Sequence, residues 1–212
     1  NGTGKSFLSR MMFEYGKNEK VIGKDKLYLA VDCTEYKKDP ETFARNLCGT
    51  AENPGWLGKA NGGMLFFDEA DALTPSSQEL LFGYLSTGQY RPAGASERNF
   101  SSTVRLVFAS SRPPEEVLMK ALARRIPISI QLPSLNERTA DEKEEMLVAF
   151  LKAEGRRMGV DVEISSKAFR CMLEYPYENN IDELKACVTS CCASAYLEKD
   201  PEGIAIHMYH LP

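Results

Sequence analysis

The first six residues, Asn1-Gly2-Thr3-Gly4-Lys5-Ser6, constrain the fold more than any other stretch of the sequence. They match the second half of the pattern G-x-x-x-x-G-K-[ST]. In that pattern backbone N–H groups wrap phosphate oxygens, the lysine reaches the β- and γ-phosphates, and the hydroxyl binds Mg²⁺. Residues 7–15 have a helical pattern, so the phosphates would lie at a helix N-terminus. A glycine-rich turn before a helix is the alternative, and these six residues alone do not decide between the two.

A second motif follows at residues 63–69, where an apolar run leads into Asp68 and Glu69. At the end of a buried strand, Asp68 would hold Mg²⁺ through water, and Glu69 would act as general base on an attacking water. Alone, this pattern also fits a strand that ends in two solvated acids. Because this motif follows the possible phosphate-binding stretch at residues 1–6, the two motifs together predict nucleotide hydrolysis.

Two further apolar runs, residues 27–31 and 104–109, each predict a buried strand. Asp32 follows the first run, and Ser110 and Ser111 stand at the end of the second. Ligands of doubly wound sheets bind at the carboxyl ends of the strands. Ser110 and Ser111 are therefore candidates to sense the γ-phosphate or to orient the water, with helix capping as the alternative.

Helices and strands alternate through this part of the sequence. Helices are predicted at residues 40–47, 74–88 and 113–125, loops at 48–61 and 94–102, and a final strand at 126–132. This alternation predicts an α/β fold in which helices flank a parallel sheet.

The apolar period becomes helical after Pro133, and residues 137–154, 165–174 and 181–197 each carry an apolar stripe. We predict three parts: an N-terminally truncated α/β nucleotide-binding subdomain at 1–133, a small helical lid at 134–199, and a tail or linker at 200–212. The tail alternates weakly from residue 204 and is a candidate strand.

The composition excludes several other kinds of protein. The six cysteines form no C-x-x-C pair and the two histidines lie near the C-terminal end, so a zinc site is not expected. We expect reduced, packed thiols and a cytoplasmic location. The formal net charge of −4 argues against a large nucleic-acid-binding surface here. No apolar run approaches the ~20 residues of a membrane-spanning helix.

Taken in order, these motifs resemble AAA+ ATPases, in which a P-loop α/β domain precedes a helical lid. More specifically, they resemble the central domain of sigma-54-dependent transcriptional activators (bacterial enhancer-binding proteins). The segments that carry the resemblance are NGGMLFFDE at 61–69, VRLVFASSR at 104–112, LPSLNER at 132–138, and YP with NIDELK within 175–185. Residues 124–128 and 180–185 are similar to the levan-operon regulator (LevR) type, whose AAA+ domain is joined to phosphotransferase-system regulatory domains.

The resemblance implies an ATP- and Mg²⁺-dependent ring, usually a hexamer, that remodels RNA polymerase holding sigma-54 so that promoter DNA can open. ATP would lie between subunits, and upstream DNA would be held by a domain outside these residues. Arg124 matches the family's trans-acting arginine, a group worth about 10³–10⁵ in rate. Arg125 is the competing choice, and an ordinary surface cation is the alternative for either residue.

One departure from the family pattern lies between Thr50 and Ala51, where the GAFTGA loop that touches sigma-54 is absent. Either the protein has lost this contact or the sequence omits a segment. The first glycine of the phosphate-binding pattern would precede Asn1, so we expect an omission and a longer chain.

Two further departures are single residues. Asp32 stands where the family has an asparagine that hydrogen-bonds the general base, and two facing carboxylates could not share that bond unless one held a proton. Asp182 stands where many relatives have a nucleotide-contacting arginine. Lys185 is the candidate replacement, and the alternative is that no such residue exists.

Two functions are compatible with these motifs and departures. The first is the ATPase of a sigma-54 activator, favoured by Asp68, Glu69, Ser110 and Arg124, because a scaffold needs neither a general base nor a trans arginine. The second is an ATP-dependent oligomerising regulatory module that does not remodel sigma-54, favoured by the absent loop and by Asp32.

Overall fold

The structure is a computed structural model that describes residues 2–94, 99–198 and 203–212. The chain divides into two compact units. The larger unit is Lys5–Ile130, and the smaller unit is Asn1–Gly4 together with Gln131–Pro212. Each unit has a hydrophobic core of its own.

The larger unit alternates helices and strands. In chain order it contains α1 (Lys5–Asn18), β1 (Tyr28–Asp32), α2 (Pro40–Cys48), α3 (Gly55–Lys59), β2 (Met64–Asp68), α4 (Pro75–Thr87), β3 (Gln89–Tyr90), β4 (Phe100–Ser101), β5 (Arg105–Phe108), α5 (Pro114–Val117) and α6 (Lys120–Ala123). Short 3₁₀ turns lie at Cys33–Tyr36 and Ala70–Ala72.

The strands β1, β2 and β5 form a parallel sheet in that spatial order, with Asp32 opposite Asp68 at its carboxyl edge. Successive side chains of a strand point to opposite faces. Met64 of β2 packs with Phe13 of α1 on one face, whereas Phe67 lies in the main core with α2, α3, α4 and α6. Helices therefore cover both faces, as parallel sheets require. The predicted α/β fold is confirmed.

Local capping chemistry sets the limits of α4. The Oγ1 atom of Thr74 accepts a hydrogen bond from the Ser77 amide at 3.2 Å, and Pro75 occupies the first helical position. Gly88 ends the helix in the left-handed conformation, with φ +68°. The same residues predicted both limits from the sequence.

The smaller unit contains the three predicted helices, α7 (Ala140–Met158), α8 (Ser166–Glu174) and α9 (Asn180–Tyr196). Its other elements are two strands, β6 (Val162–Ile164) and β7 (Ile204–Ile206), and 3₁₀ turns at Leu135–Glu137 and Met208–His210. The strands pair in parallel, so residues 203–212 join this unit instead of forming a separate tail. Cys191 and Cys192 are fully buried in its core. No helix in the described parts of the chain is long and apolar enough to cross a membrane.

Several predicted limits differ from the structure. Helix α1 extends beyond residue 15 to Asn18, and after it the Ile22 amide donates to the Gly16 carbonyl at 2.9 Å while the Ile22 side chain packs beside Gly16. The predicted loop at 48–61 contains α3, and the predicted helix at 113–125 is divided into α5 and α6. The predicted loop at 94–102 contains β4, and its residues 95–98 lie outside the described residues.

The predicted strand at 126–132 is wrong. Within the described residues no strand pairs with this segment. Pro127 has no N–H to donate, and the side chains of Ile128 and Ile130 are 73% and 61% exposed. The β-branched pattern is present, but a strand also needs a partner for its backbone groups.

A tight turn at residues 49–55 joins α2 to α3. The Thr50 amide donates to the Asn53 carbonyl at 2.8 Å, and the Asn53 amide donates back to the Thr50 carbonyl at 3.3 Å. Gly49 and Gly55 have φ +82° and +62°, and a Cβ on either one would overlap the backbone of the other. Only glycine fits both positions, and the two residues at the tip are exposed.

We expect Gly49→Ala to destabilise the larger unit by about 1–2 kcal/mol or more, because the left-handed backbone alone costs that much for a residue with a Cβ. Gly83 in α4 is the matched control. It is not left-handed, and no atom lies within 4 Å of an added Cβ. Gly83→Ala should therefore stabilise the protein by about 0.5–1 kcal/mol. Urea unfolding measures both changes, and a Gly49→Ala variant as stable as wild type would contradict the first.

Candidate active site

The two predicted Mg²⁺ ligands lie side by side in the larger unit. Ser6, in the first turn of α1, donates from Oγ to Oδ2 of Asp68, the last residue of β2, at 2.8 Å. A hydroxyl and a carboxylate are hard oxygen ligands, and Mg²⁺ usually completes its shell with water and phosphate oxygens. The pair therefore fits a magnesium ion that arrives with a phosphate. Within the described residues, no group of three or more His, Cys, Asp or Glu side chains is arranged to bind a metal by itself.

The stretch predicted to wrap phosphate has the backbone that its glycines favour. Gly2 and Gly4 have φ +74° and +93°. Thr3 is partly buried, and Lys5 is the first residue of α1. Asn1, also predicted to bind the nucleotide, lies outside the described residues. An anion at the start of α1 would be stabilised by the free amides of its first turn.

Glu69, the predicted general base, is held in a strained conformation. Its φ and ψ are 48° and 51°, a left-handed geometry that costs roughly 1–3 kcal/mol for a residue other than glycine. Its amide donates to Oδ1 of Asp68 at 3.1 Å, and the next amide, that of Ala70, donates to the Ala109 carbonyl at 2.8 Å. These bonds fix the turn that carries the carboxylate.

Acidic side chains crowd the carboxyl edge of the sheet. Cys33 is fully buried there. Burial, together with the neighbouring carboxylates of Asp32, Asp68, Asp71 and Glu69, raises the pKa of its thiol to about 12. A divalent cation would offset this concentration of negative charge.

The carboxylate of Asp32 is already satisfied locally. Its Oδ1 accepts the Thr34 amide at 2.9 Å and the Thr34 hydroxyl at 2.6 Å, which caps the 3₁₀ turn Cys33–Tyr36. No hydrogen bond joins it to Glu69. The shared proton that the sequence argument required is therefore not needed.

Ser110 links the end of β5 to the turn after Glu69. Its Oγ donates to Oδ1 of Asp71 at 3.4 Å and accepts the Arg112 amide at 3.1 Å. Ser111 beside it is exposed. The sequence analysis missed Asp71, although its signal, a further acid in the run Asp-Glu-Ala-Asp, was present.

The structure distinguishes the two candidate arginines. The Arg125 guanidinium lies 5.8 Å from the centroid of the Phe82 ring, a cation–π distance. Arg124, at the end of α6, is exposed, and among the described residues its side chain has no hydrogen bond or ion pair. Both side chains are exposed, so what separates them is the contact with Phe82, which Arg125 makes and Arg124 does not.

A cavity of about 580 Å³ opens beside Ser6 and Asp68. Its wall includes Tyr28 and Trp56, and the Arg10 guanidinium lies 5.4 Å from the Tyr28 ring centroid. A volume of this size is typical of small-molecule sites. The sequence analysis missed this wall because its side chains come from separate elements that only the fold brings together.

In the smaller unit, the charged residue beside Gly2 is Asp182. The Ile181 amide donates to the Gly2 carbonyl at 3.0 Å, and Oδ2 of Asp182 lies 3.2 Å from the place of a Cβ on Gly2. Lys185, the predicted replacement for the family arginine, is exposed about one turn further along α9.

The family model and the similar proteins both identify the chain as related to sigma-54-dependent regulators. Residues 1–126 match the family model described as Sigma-54 interaction domain. The chain is 33% identical over 205 residues to the transcriptional regulatory protein DagR of Salmonella typhimurium and 27% identical over 205 residues to LevR of Bacillus subtilis. Each alignment covers 92% of this chain and 22% of the relative, so the chain spans about a fifth of their length.

Solved structures show the same fold. NtrX from Brucella abortus in complex with ADP matches 100% of this chain and 47% of its own, with a TM-score of 0.81 and 19% identity. The structure of NtrX in complex with ATP gives a TM-score of 0.79 at 20% identity, over 100% of this chain and 49% of its own. At this identity the likeness shows the fold alone, that of an AAA+ domain. Because the family model covers more than half of the sequence, the chain belongs to the sigma-54 interaction domain family of AAA+ proteins.

Proposed function

We propose that this chain is the ATPase domain of a sigma-54-dependent transcriptional regulator, in which a ring of copies hydrolyses ATP and remodels RNA polymerase holding sigma-54. The observation that carries the proposal is the hydrogen-bonded pair Ser6 and Asp68, with Glu69 next to it, at the carboxyl edge of a parallel sheet. Family membership supports the polymerase as partner. The ADP and ATP complexes of NtrX support nucleotide as ligand.

The phosphates are held first. Backbone amides of Gly2, Thr3 and Gly4 surround the phosphate oxygens, and the Lys5 ammonium reaches the β- and γ-phosphates. Ser6 and Asp68 are the residues that would hold Mg²⁺, and the ion would supply positive charge to the transferred phosphoryl group. Lys185 is a further candidate cation on the nucleotide.

Hydrolysis then needs an oriented water. Glu69 accepts its proton, and a positioned base of this kind typically contributes 10²–10⁴ in rate. Ser110, held by Asp71, and its neighbour Ser111 orient the water or report the γ-phosphate. Arg124 stabilises the charge of the transition state in the neighbouring copy.

Assembly of copies into a ring gives the Arg124 side chain a partner. An exposed guanidinium without a partner among the described residues gains its function only when a second copy brings a phosphate to it. We propose a hexamer, in line with the family. The longer relatives support additional domains in the whole protein, one of which would hold upstream promoter DNA. The similar proteins give no support to the alternative of a regulatory module without remodelling activity, which the absent loop and Asp32 favoured in the sequence.

Glu69→Gln is the direct test. The variant should bind ATP as wild type does but lose at least about 10²-fold in turnover, because an amide cannot accept the proton. Nucleotide binding and phosphate release measure the two effects. Glu79→Gln, an exposed acid on α4, is the matched control and should change neither. Unchanged turnover in Glu69→Gln would remove Glu69 as the base.

A promoter-opening assay tests the partner. With ATP and polymerase holding sigma-54, the intact wild-type protein should convert closed promoter complexes to open ones, and Glu69→Gln should not. Hydrolysis without opening would keep the ATPase and reject the remodelling.

Arg124→Ala should lower ATP turnover by about 10³-fold or more in assembled rings, with little loss of ATP binding, because the arginine acts on the neighbour's phosphate. Arg125→Ala is the control. It should keep most of the turnover and lose about 0.5–1 kcal/mol of stability with its contact to Phe82. The measurement is ATP turnover as a function of protein concentration. If Arg124→Ala turns over ATP as fast as wild type at every concentration, Arg124 does not act on the neighbouring copy.

A further inference from the structure

Asp182 is a carboxylate that the fold does not use. Among the described residues, no hydrogen-bond donor or cation pairs with it. Its neighbour Glu183 differs, because Glu183 accepts the Asn179 amide at 2.7 Å and so caps the start of α9. The charge of Asp182 is exposed to water on one side and to Gly2 on the other.

Backbone contacts fix Asp182 beside Gly2. The Ile181 amide donates to the Gly2 carbonyl at 3.0 Å. Asn180, at the start of α9, has φ +59°, and its Oδ1 accepts the Leu135 amide at 2.9 Å. Asparagine adopts this left-handed conformation more readily than other residues with a Cβ, and the bond to the Leu135 amide holds the Asn180 side chain in place. The first turn of α9 is therefore held against Gly2, and Asp182 is held with it.

We propose that Asp182 is a charge-selecting residue of the nucleotide site: its carboxylate repels phosphates held at Gly2 and weakens the binding of more highly charged nucleotides most. The inference rests on the proposed function, because it requires phosphate at residues 1–6. ATP carries one more negative charge than ADP, and Mg²⁺ cancels part of the charge of either. Asp182 therefore makes binding of the triphosphate depend on Mg²⁺.

The repulsion is moderate and depends on salt. Asp182 is exposed, so water and ions screen its field. The carboxylate also gains a little from its place in the first turn of α9, where the helix dipole favours anions. Because it has no partner to lose, replacing it with asparagine should leave the fold intact.

Asp182→Asn tests the inference in the intact protein, with dissociation constants for ATP and ADP measured with and without Mg²⁺. At low ionic strength the variant should bind Mg²⁺-free ATP about three- to ten-fold more tightly than wild type does, given a unit charge near the phosphates in a largely aqueous medium. The gain should be smaller for ADP and for Mg²⁺-bound ATP, and it should shrink at high salt. Asp182→Arg should tighten binding further.

Glu163→Gln, an exposed acid on β6 of the same unit, makes the same change in net charge and should leave affinity unchanged. Lys5→Ala should abolish binding in each background, which shows that the measured site is the proposed one. Equal or weaker ATP binding by Asp182→Asn, or a gain that ignores salt and nucleotide charge, would overturn the inference and leave the proposed function standing. If wild type, Asp182→Asn and Asp182→Arg all bind no nucleotide, both proposals fail.

Discussion

The candidate site depends on the parallel pairing of β1, β2 and β5. This pairing brings three chain segments that are distant in sequence to one edge, where Asp32, Asp68 and Ala109 end or follow the strands. Helix α1 then sets Ser6 against Asp68. Antiparallel strands would place these ends on opposite sides of the sheet, and no local motif could compensate. The strand topology therefore decides which side chains meet at this edge, and the residue types decide what those side chains can bind.

Two features that lower the stability of the fold are concentrated at this edge. Four carboxylates surround the buried Cys33, where burial and their negative charge raise the pKa of the thiol, and Glu69 occupies a left-handed backbone conformation. A fold selected for stability alone would avoid both. Their presence beside the hydrogen-bonded pair Ser6 and Asp68 supports the proposal of a nucleotide that binds here with Mg²⁺.

Sequence reasoning succeeded where short-range chemistry decides the outcome. The strand that ends in Asp68 and the limits of α4 at Thr74 and Gly88 could be read directly. It failed at residues 126–132, where the pattern was that of a strand but no partner lies alongside. It could not separate Arg124 from Arg125, because the Phe82 ring that occupies one of them comes from another helix. Such pairings are set by packing, which a single sequence does not record.

The turn at residues 49–55 has a consequence for protein engineering. The reciprocal bonds between Thr50 and Asn53 close the neck of the turn below its two exposed tip residues. Each doubling of a flexible loop costs only about 0.6 kcal/mol in closure entropy. The tip is therefore a permissive insertion point, at which peptides of different length, a fluorophore site or an affinity tag could be exchanged while the sheet and its carboxyl edge stay as they are.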